Sequence, residues 1–167
     1  MLTATRQFLL DADVFIAAAR RYYAFDLAPR FWQELIAGSN TGQVASIDKV
    51  KEELLKGNDA LARWAKDRFG GFLSTDSSAV VQAYGQVMNW AEGQNHFTEA
   101  ALEDFASGAD GWLAAFAIAN QCTIVTNEVS APPEKKSKIK IPNVCQQFGV
   151  HYVDTFRMLR ELKIRFS

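Results

Sequence analysis

The stretch Gln7-Phe8-Leu9-Leu10-Asp11-Ala12-Asp13-Val14-Phe15-Ile16 decides how the rest of the chain is read. Phe8, Leu9 and Leu10 form a continuous apolar run rather than an alternating one, which marks a strand buried on both faces, as in a parallel sheet. The run stops at Asp11, and from Val14 to about Arg21 the pattern is helical. An acid placed directly after a buried strand needs partners, because an unpaired buried charge is costly.

Outward from this stretch, similar signals recur. Val44-Ala45-Ser46-Ile47 is a second short strand, Thr123-Ile124-Val125-Thr126 a third ending at Asn127-Glu128, and Val150 to Val153 a last one. Helices are expected between them. One runs from Pro29 to a stop near Gly38, and others are capped by Asp48 and by Asn58. Gly70-Gly71 breaks the chain, after which Val80, Val81, Tyr84, Val87, Met88 and Ala91 recur at helical spacing and are read as core. A helix from Glu99 to Phe105 precedes Asp110 to Ala119, which is apolar nearly all round and therefore a buried helix. A basic loop from Pro133 to Pro142, a short helix from Val144 to Phe148 and a closing helix bearing Phe156, Leu159 and Leu162 complete the chain. Strands alternating with helices predict an α/β fold with an open, mostly parallel sheet covered on both faces. Residues 1–167 are expected to form one domain.

Composition narrows the chemistry. Hydrophobic residues make up 49% of the chain and charged residues 22%, a balance that excludes disorder. No apolar run approaches the roughly 20 residues of a membrane span, and no signal-peptide pattern precedes the first strand, so a cytoplasmic location is expected. Cys122 and Cys145 lack metal-ligand spacing and are expected as buried thiols. With only His96 and His151 as imidazoles, neither a zinc site nor a histidine-based triad is expected, and any chemistry falls to oxygen ligands. A net charge of −1 gives no global attraction to nucleic acid, so contacts would come from local basic patches.

In open parallel sheets, sites form beyond the carboxyl ends of the strands. Asp11 and Glu128 follow strand ends, Asp110 opens the buried helix, and Glu53 lies on the helix after the second strand. Carboxylates about 4 Å apart repel by roughly 1 to 4 kcal/mol. Magnesium or manganese, both hard cations that favour oxygen ligands, would remove that repulsion. Each acid also has a plainer role open to it. Asp110 can close a capping box begun by Ser107, Glu53 beside Glu52 can be a solvated charge, and Glu128 can be an ordinary loop carboxylate.

At this point a family resemblance emerges. Phe8 to Ile16 resembles the opening strand of PIN-domain proteins, which include the VapC-type toxins of toxin–antitoxin pairs: an apolar strand ends in Asp, followed by a small residue and then Asn or Asp, here Asp13. Val50-Lys51-Glu52-Glu53-Leu54 looks like the second acidic motif, Asp110 with Trp112-Leu113-Ala114-Ala115 the third, and Ile124-Val125-Thr126-Asn127-Glu128 the fourth. The likeness extends in order along the chain, and the stretches Arg21 to Asp26, Phe31-Trp32 and Lys140 to Cys145 look like a particular PIN-like subfamily.

The resemblance implies a three-layer α/β/α fold. It also implies a nuclease in which Asp11, Glu53, Asp110 and Glu128 bind one or two magnesium or manganese ions that activate a water for attack on an RNA phosphodiester. Asp13, Thr126 and Asn127 would support that cluster, Thr126 through its hydroxyl. Phosphate contact would come from Lys135, Lys136, Lys138 and Lys140 on the basic loop and from Arg20 and Arg21, although solvated surface charge is the simpler account of any single lysine. An antitoxin protein and a homodimer are the partners it implies. Three departures stand out: Glu replaces the usual Asp at 128, Glu52 is an adjacent alternative to Glu53, and the segment from Gly70 to Phe97 is long for a compact toxin. Asp11-Ala12-Asp13-Val14 also resembles the opening motif of haloacid-dehalogenase-type phosphatases, but no late Gly-Asp or paired-Asp motif follows. A non-catalytic PIN-like module binding RNA or protein is the remaining alternative.

Overall fold

The structure is a computed structural model that describes residues 6–132 and 134–166. Its centre is the apolar run quoted above. Strand β1 (Phe8–Leu10) lies between β2 (Val44–Ile47) and β4 (Thr123–Val125), and the full order is β3-β2-β1-β4-β5, with β3 at Phe72–Leu73 and β5 at Tyr152–Val153. Every pairing is parallel. All residues of β1, β2 and β4 are buried whichever way they point, so both faces of the central sheet are covered, as the continuous apolar runs require. Register pairs Phe8 with Val44 and Leu10 with Val125. The buried Ser46 hydroxyl ties the sheet further by donating to the Leu10 carbonyl at 2.6 Å.

The helices are α1 (Ala12–Ala17), α2 (Pro29–Asn40), α3 (Asp48–Leu55), α4 (Ala60–Asp67), α5 (Ser78–Glu92), α6 (Glu99–Ser107), α7 (Asp110–Asn120), α8 (Ile141–Phe148) and α9 (Thr155–Glu161). The first continues into a π-helical turn over Ala18–Tyr22. Several local expectations are corrected. Gly38 does not stop α2. It lies inside the helix because a Cβ there would sit 2.6 Å from Val44 Cγ2, so glycine permits close packing of α2 on β2. Asp59 rather than Asn58 caps α4, accepting from the Ala62 N–H at 2.9 Å. Asp48 is the first residue of α3, not its cap. Strand β3, just after Gly70-Gly71, was not expected at all.

The main core runs under β1 and β4 and through an aromatic cluster in which Phe15 meets Trp64, Phe69 and Phe72 at centroid distances of 5.9 to 6.0 Å. A smaller cluster of Val87, Ala91, Phe105, Ala114, Ile139 and Val144 joins α5, α6, α7 and α8 to the basic loop. Cys122 and Cys145 are buried free thiols, pushed up to about 11 and about 12 by burial.

Candidate active site

The order of strands creates the site. From β1 the chain steps to β2 and β3 on one side, then returns to β4 and β5 on the other, so the reversal falls between β1 and β4. Such switch points leave a crevice beyond the carboxyl ends of the strands. Because Leu10 pairs with Val125, Asp11 and Thr126 leave the sheet side by side, and the Asp11 N–H donates to the Val125 carbonyl at 3.0 Å. The Thr126 hydroxyl donates to Asp11 Oδ2 at 3.0 Å and accepts from the Glu128 N–H at 3.1 Å. One side chain therefore couples the two strand-end acids.

Asp110 reaches the same place from α7. The capping box with Ser107 does not form: Ser107 ends α6, its hydroxyl donates to the Asp104 carbonyl, and Ala109 precedes the first turn of α7. Gly111 lets this end of α7 pack closely, since a Cβ there would lie 3.2 Å from Tyr84 and 3.3 Å from Phe105. Glu53 arrives from α3, its Oε1 accepting from the Ala109 N–H at 3.0 Å. Of the adjacent pair, Glu53 is turned toward this edge and Glu52 is exposed.

Electrostatics show that the acids feel one another. Asp11 is only 4% exposed, and its carboxyl is held well above the usual range first by burial, then by the charges of Asp110 and Glu128, against the opposing Thr126 hydrogen bond. Asp110 is pushed up to about 7 by burial, then by Glu128 and Glu53, with Lys138 pulling the other way. Asp13 is exposed and adds a smaller repulsion to both. These are hard oxygen donors from four separate elements, β1, α3, α7 and the β4 end, and a divalent cation is the natural relief of their repulsion. Their present grip is loose. Among the described residues, no three acidic, cysteine or histidine side chains converge tightly enough to hold an ion. Glu53 is engaged by a backbone amide, and Glu128 accepts from the Ile141 N–H at 3.0 Å while pairing with Lys138 at 3.5 Å.

The remaining expected residues separate. Asn127 faces away from the acids, its Oδ1 accepting from the Thr155 N–H and hydroxyl and so fixing the start of α9. Lys138 alone of the loop lysines makes an ion pair in the described structure; Lys135 and Lys136 are exposed and Lys140 is half-buried ahead of α8. Arg20 and Arg21 are exposed on the π-helical turn, on a different element from the lysine loop. Nothing in the sequence distinguished Lys138 from its neighbours, because the distinction depends on how the loop folds back over Glu128.

No helix among the described residues is long and apolar enough to cross a membrane. No curated protein sequence matches the chain. Among solved structures, it is similar to VapBC2 from Rickettsia felis bound to a DNA fragment from their promoter, with a TM-score of 0.54 and 14% identity over 88% of this chain and 97% of that one. It is also similar to FitAcB from Neisseria gonorrhoeae, with a TM-score of 0.52 and 20% identity over 87% of this chain and 96% of that one. These likenesses establish the PIN fold that the opening strand predicts. A family profile described as a domain of unknown function, DUF4411, matches residues 8–166, and the chain belongs to that family.

Proposed function

We propose that the protein is a metal-dependent endoribonuclease, of the kind that serves as the toxin of a toxin–antitoxin pair. The observation that carries this is the buried Asp11 carboxylate at the switch point, facing Asp110 and Glu128 rather than any buried cation. Evolution seldom leaves such repulsion inside a fold without a use for it, and perturbed carboxyls gathered in a crevice are a common mark of function.

Asp11, Asp110, Glu128 and Glu53 would hold one or two magnesium or manganese ions. When bound, such an ion lowers the pKa of water and neutralises charge on a phosphodiester. The chain's own groups then have distinct tasks. Thr126 fixes the Asp11 carboxylate and the backbone at Glu128 with one hydroxyl. The Ala109 amide keeps Glu53 beside Asp110. Asp13 adds negative charge at the solvent edge, and Asn127 anchors α9 behind the site. Lys135, Lys136, Lys138 and Lys140 would receive RNA phosphates, with Arg20 and Arg21 as outlying contacts. The shared fold with VapBC2 supports an antitoxin as protein partner and is compatible with a homodimer.

The backbone engagement of Glu53 and Glu128 favours one other reading, a non-catalytic PIN-like module that binds RNA or protein. The phosphatase alternative gains nothing from a PIN fold. Incubating mixed RNA and manganese with the protein and with an Asp11→Asn variant of verified fold decides the matter. Cleavage by the parent and not the variant is expected. Cleavage surviving in the variant, or a parent that neither cleaves RNA nor binds manganese by calorimetry, would overturn the nuclease. A small phosphate ester in a parallel reaction covers the phosphatase.

A further inference from the structure

Beside the acids lies a cleft whose aromatic side the nuclease reading does not use. It holds about 310 Å³ and opens between the α5–α6 connection, the basic loop and α8. One wall is aromatic: Trp90, His96 and Phe97. Lys135, Lys138 and Lys140 also line the cleft, and among the described residues no acid does. We propose that this cleft is a subsite for one unpaired base of single-stranded RNA, next to the bond cleaved at the acids; the proposal rests on the nuclease reading for its substrate.

Size, chemistry and position support this occupant. The volume lies at the small end of the roughly 300 to 1,000 Å³ typical of small-ligand pockets, which suits a single nucleoside and excludes a duplex. Aromatic faces stack any base, and lysines beside them take the phosphate, the usual combination for single strands. The wall is rigid before any ligand arrives. Trp90 is braced edge-on by Phe97 at 6.2 Å and by Phe148 at 5.9 Å. The loop is pinned by Ile139, only 3% exposed in the second core cluster, and by the Thr98 N–H donating to the Lys136 carbonyl at 3.1 Å. Asn143 clamps the loop's start, accepting from the Ala131 N–H at 2.9 Å and donating to its carbonyl at 3.0 Å. Three glutamine amides in the lining can meet a base edge: Gln94, whose Nε2 donates to the Trp90 carbonyl, Gln146, whose Nε2 donates to the Tyr152 hydroxyl, and the exposed Gln147.

Lys138 supplies the link to the chemistry. It lines this cleft, pairs with Glu128 at 3.5 Å, and also lines a recess of about 130 Å³ with Asp110. A nucleotide whose base enters the cleft would therefore present its phosphate at the edge of the acidic cluster. Base recognition and phosphate placement would share one side chain.

The test is binding without hydrolysis. Fluorescence anisotropy in EDTA would compare a labelled oligouridylate hexamer, an abasic phosphodiester hexamer of equal charge, a hairpin duplex and an acidic peptide of equal charge. The oligouridylate should bind on the order of tenfold more tightly than the abasic chain, the duplex or the peptide. Exposed-site variants Lys135→Glu and Gln147→Ala should weaken it several-fold, while Lys66→Glu on α4 should leave it unchanged. Equal binding of the abasic chain or the peptide, or equal loss in Lys66→Glu, would reduce the cleft to generic basic surface. No binding of the hexamer overturns the subsite outright. Selective binding without manganese-dependent cleavage would retain the subsite and sink the nuclease. Cleavage with both cleft variants unaffected would do the reverse.

Discussion

Two aspartates in this molecule begin from the same sequence signal and end in opposite states. Asp11 follows β1 and Asp48 follows β2, each directly after a buried apolar strand. Asp48 is fully satisfied: Oδ1 accepts from the Lys49 N–H at 2.8 Å and the Thr75 hydroxyl at 2.9 Å, and Oδ2 accepts from the Thr75 N–H at 3.1 Å. Asp11 is more deeply buried, has the Thr126 hydroxyl as its side-chain hydrogen-bond partner, and looks out on other carboxylates. The difference lies in topology. Beyond β2 the chain continues in one direction to β3, and Thr75, just past that strand, closes over Asp48. Beyond β1 the strand order reverses, and the crevice gathers acids from elsewhere. A strand-end acid is thus a structural tie in one place and a reactive candidate in the other.

The largest effect that could break this contrast is on activity. Asp11→Asn should lower RNA cleavage on the order of 10²-fold or more while leaving the protein folded, because the uncharged amide removes repulsion and can still accept from Thr126. Asp48→Ala should do the opposite. It strands the Thr75 N–H and hydroxyl, costing about 2 to 3 kcal/mol in urea unfolding, with cleavage per folded molecule retained. If the two variants exchanged phenotypes, the assignment of the site to the β1–β4 edge would fail.

Asp110→Asn sharpens the same contrast through pH. An acid whose folded pKa exceeds its unfolded value binds more protons when folded, so its ionisation subtracts stability as pH rises between the two values. For Asp110 that window runs from 3.8 to about 7. In EDTA, the variant should be more stable than the parent by roughly 1 to 4 kcal/mol at pH 8, with the gap closing toward pH 4. A site acid removed from its neighbours should stabilise the fold; a structural acid should not. A parent that is instead the more stable at pH 8 would show Asp110 to be paired with a cation.

These contrasts also show where the sequence was legible. The strands β1, β2 and β4 could be read because burial on both faces demands uninterrupted apolar residues, and Asp11 and Glu128 became candidates because one ends such a run directly and the other lies just beyond one. Strand β3 could not, since two residues have no period to detect. The fate of Asp48 depends on Thr75, separated from it by 27 positions, and no local pattern carries that pairing. Choosing between Glu52 and Glu53 required the rotation of α3 against Ala109. The aromatic wall of the cleft was hidden differently: Trp90 lies within a clearly amphipathic run, and its spacing cannot tell a core ring from one facing a groove. Local chemistry marks candidates, while the path of the chain decides which of them meet.

The smallest predicted effect compares the partners rather than the acids. Lys138 covers Glu128 from outside, at 3.5 Å and with its side chain 52% exposed, whereas Thr75 covers Asp48 from within and is 4% exposed. An exposed ion pair gains little, since water screens it and a long side chain must be immobilised. Lys138→Ala should therefore change unfolding free energy by less than about 1 kcal/mol. Thr75→Val, which keeps the shape but removes a buried donor to a carboxylate, should cost about 1.5 to 3 kcal/mol. The two can be measured side by side by urea unfolding in EDTA at pH 7. Equal losses would mean that the loop over Glu128 is as firmly built into the fold as the Asp48 tie. A loss confined to Thr75→Val would leave Lys138 free to exchange Glu128 for a phosphate without unsettling the protein.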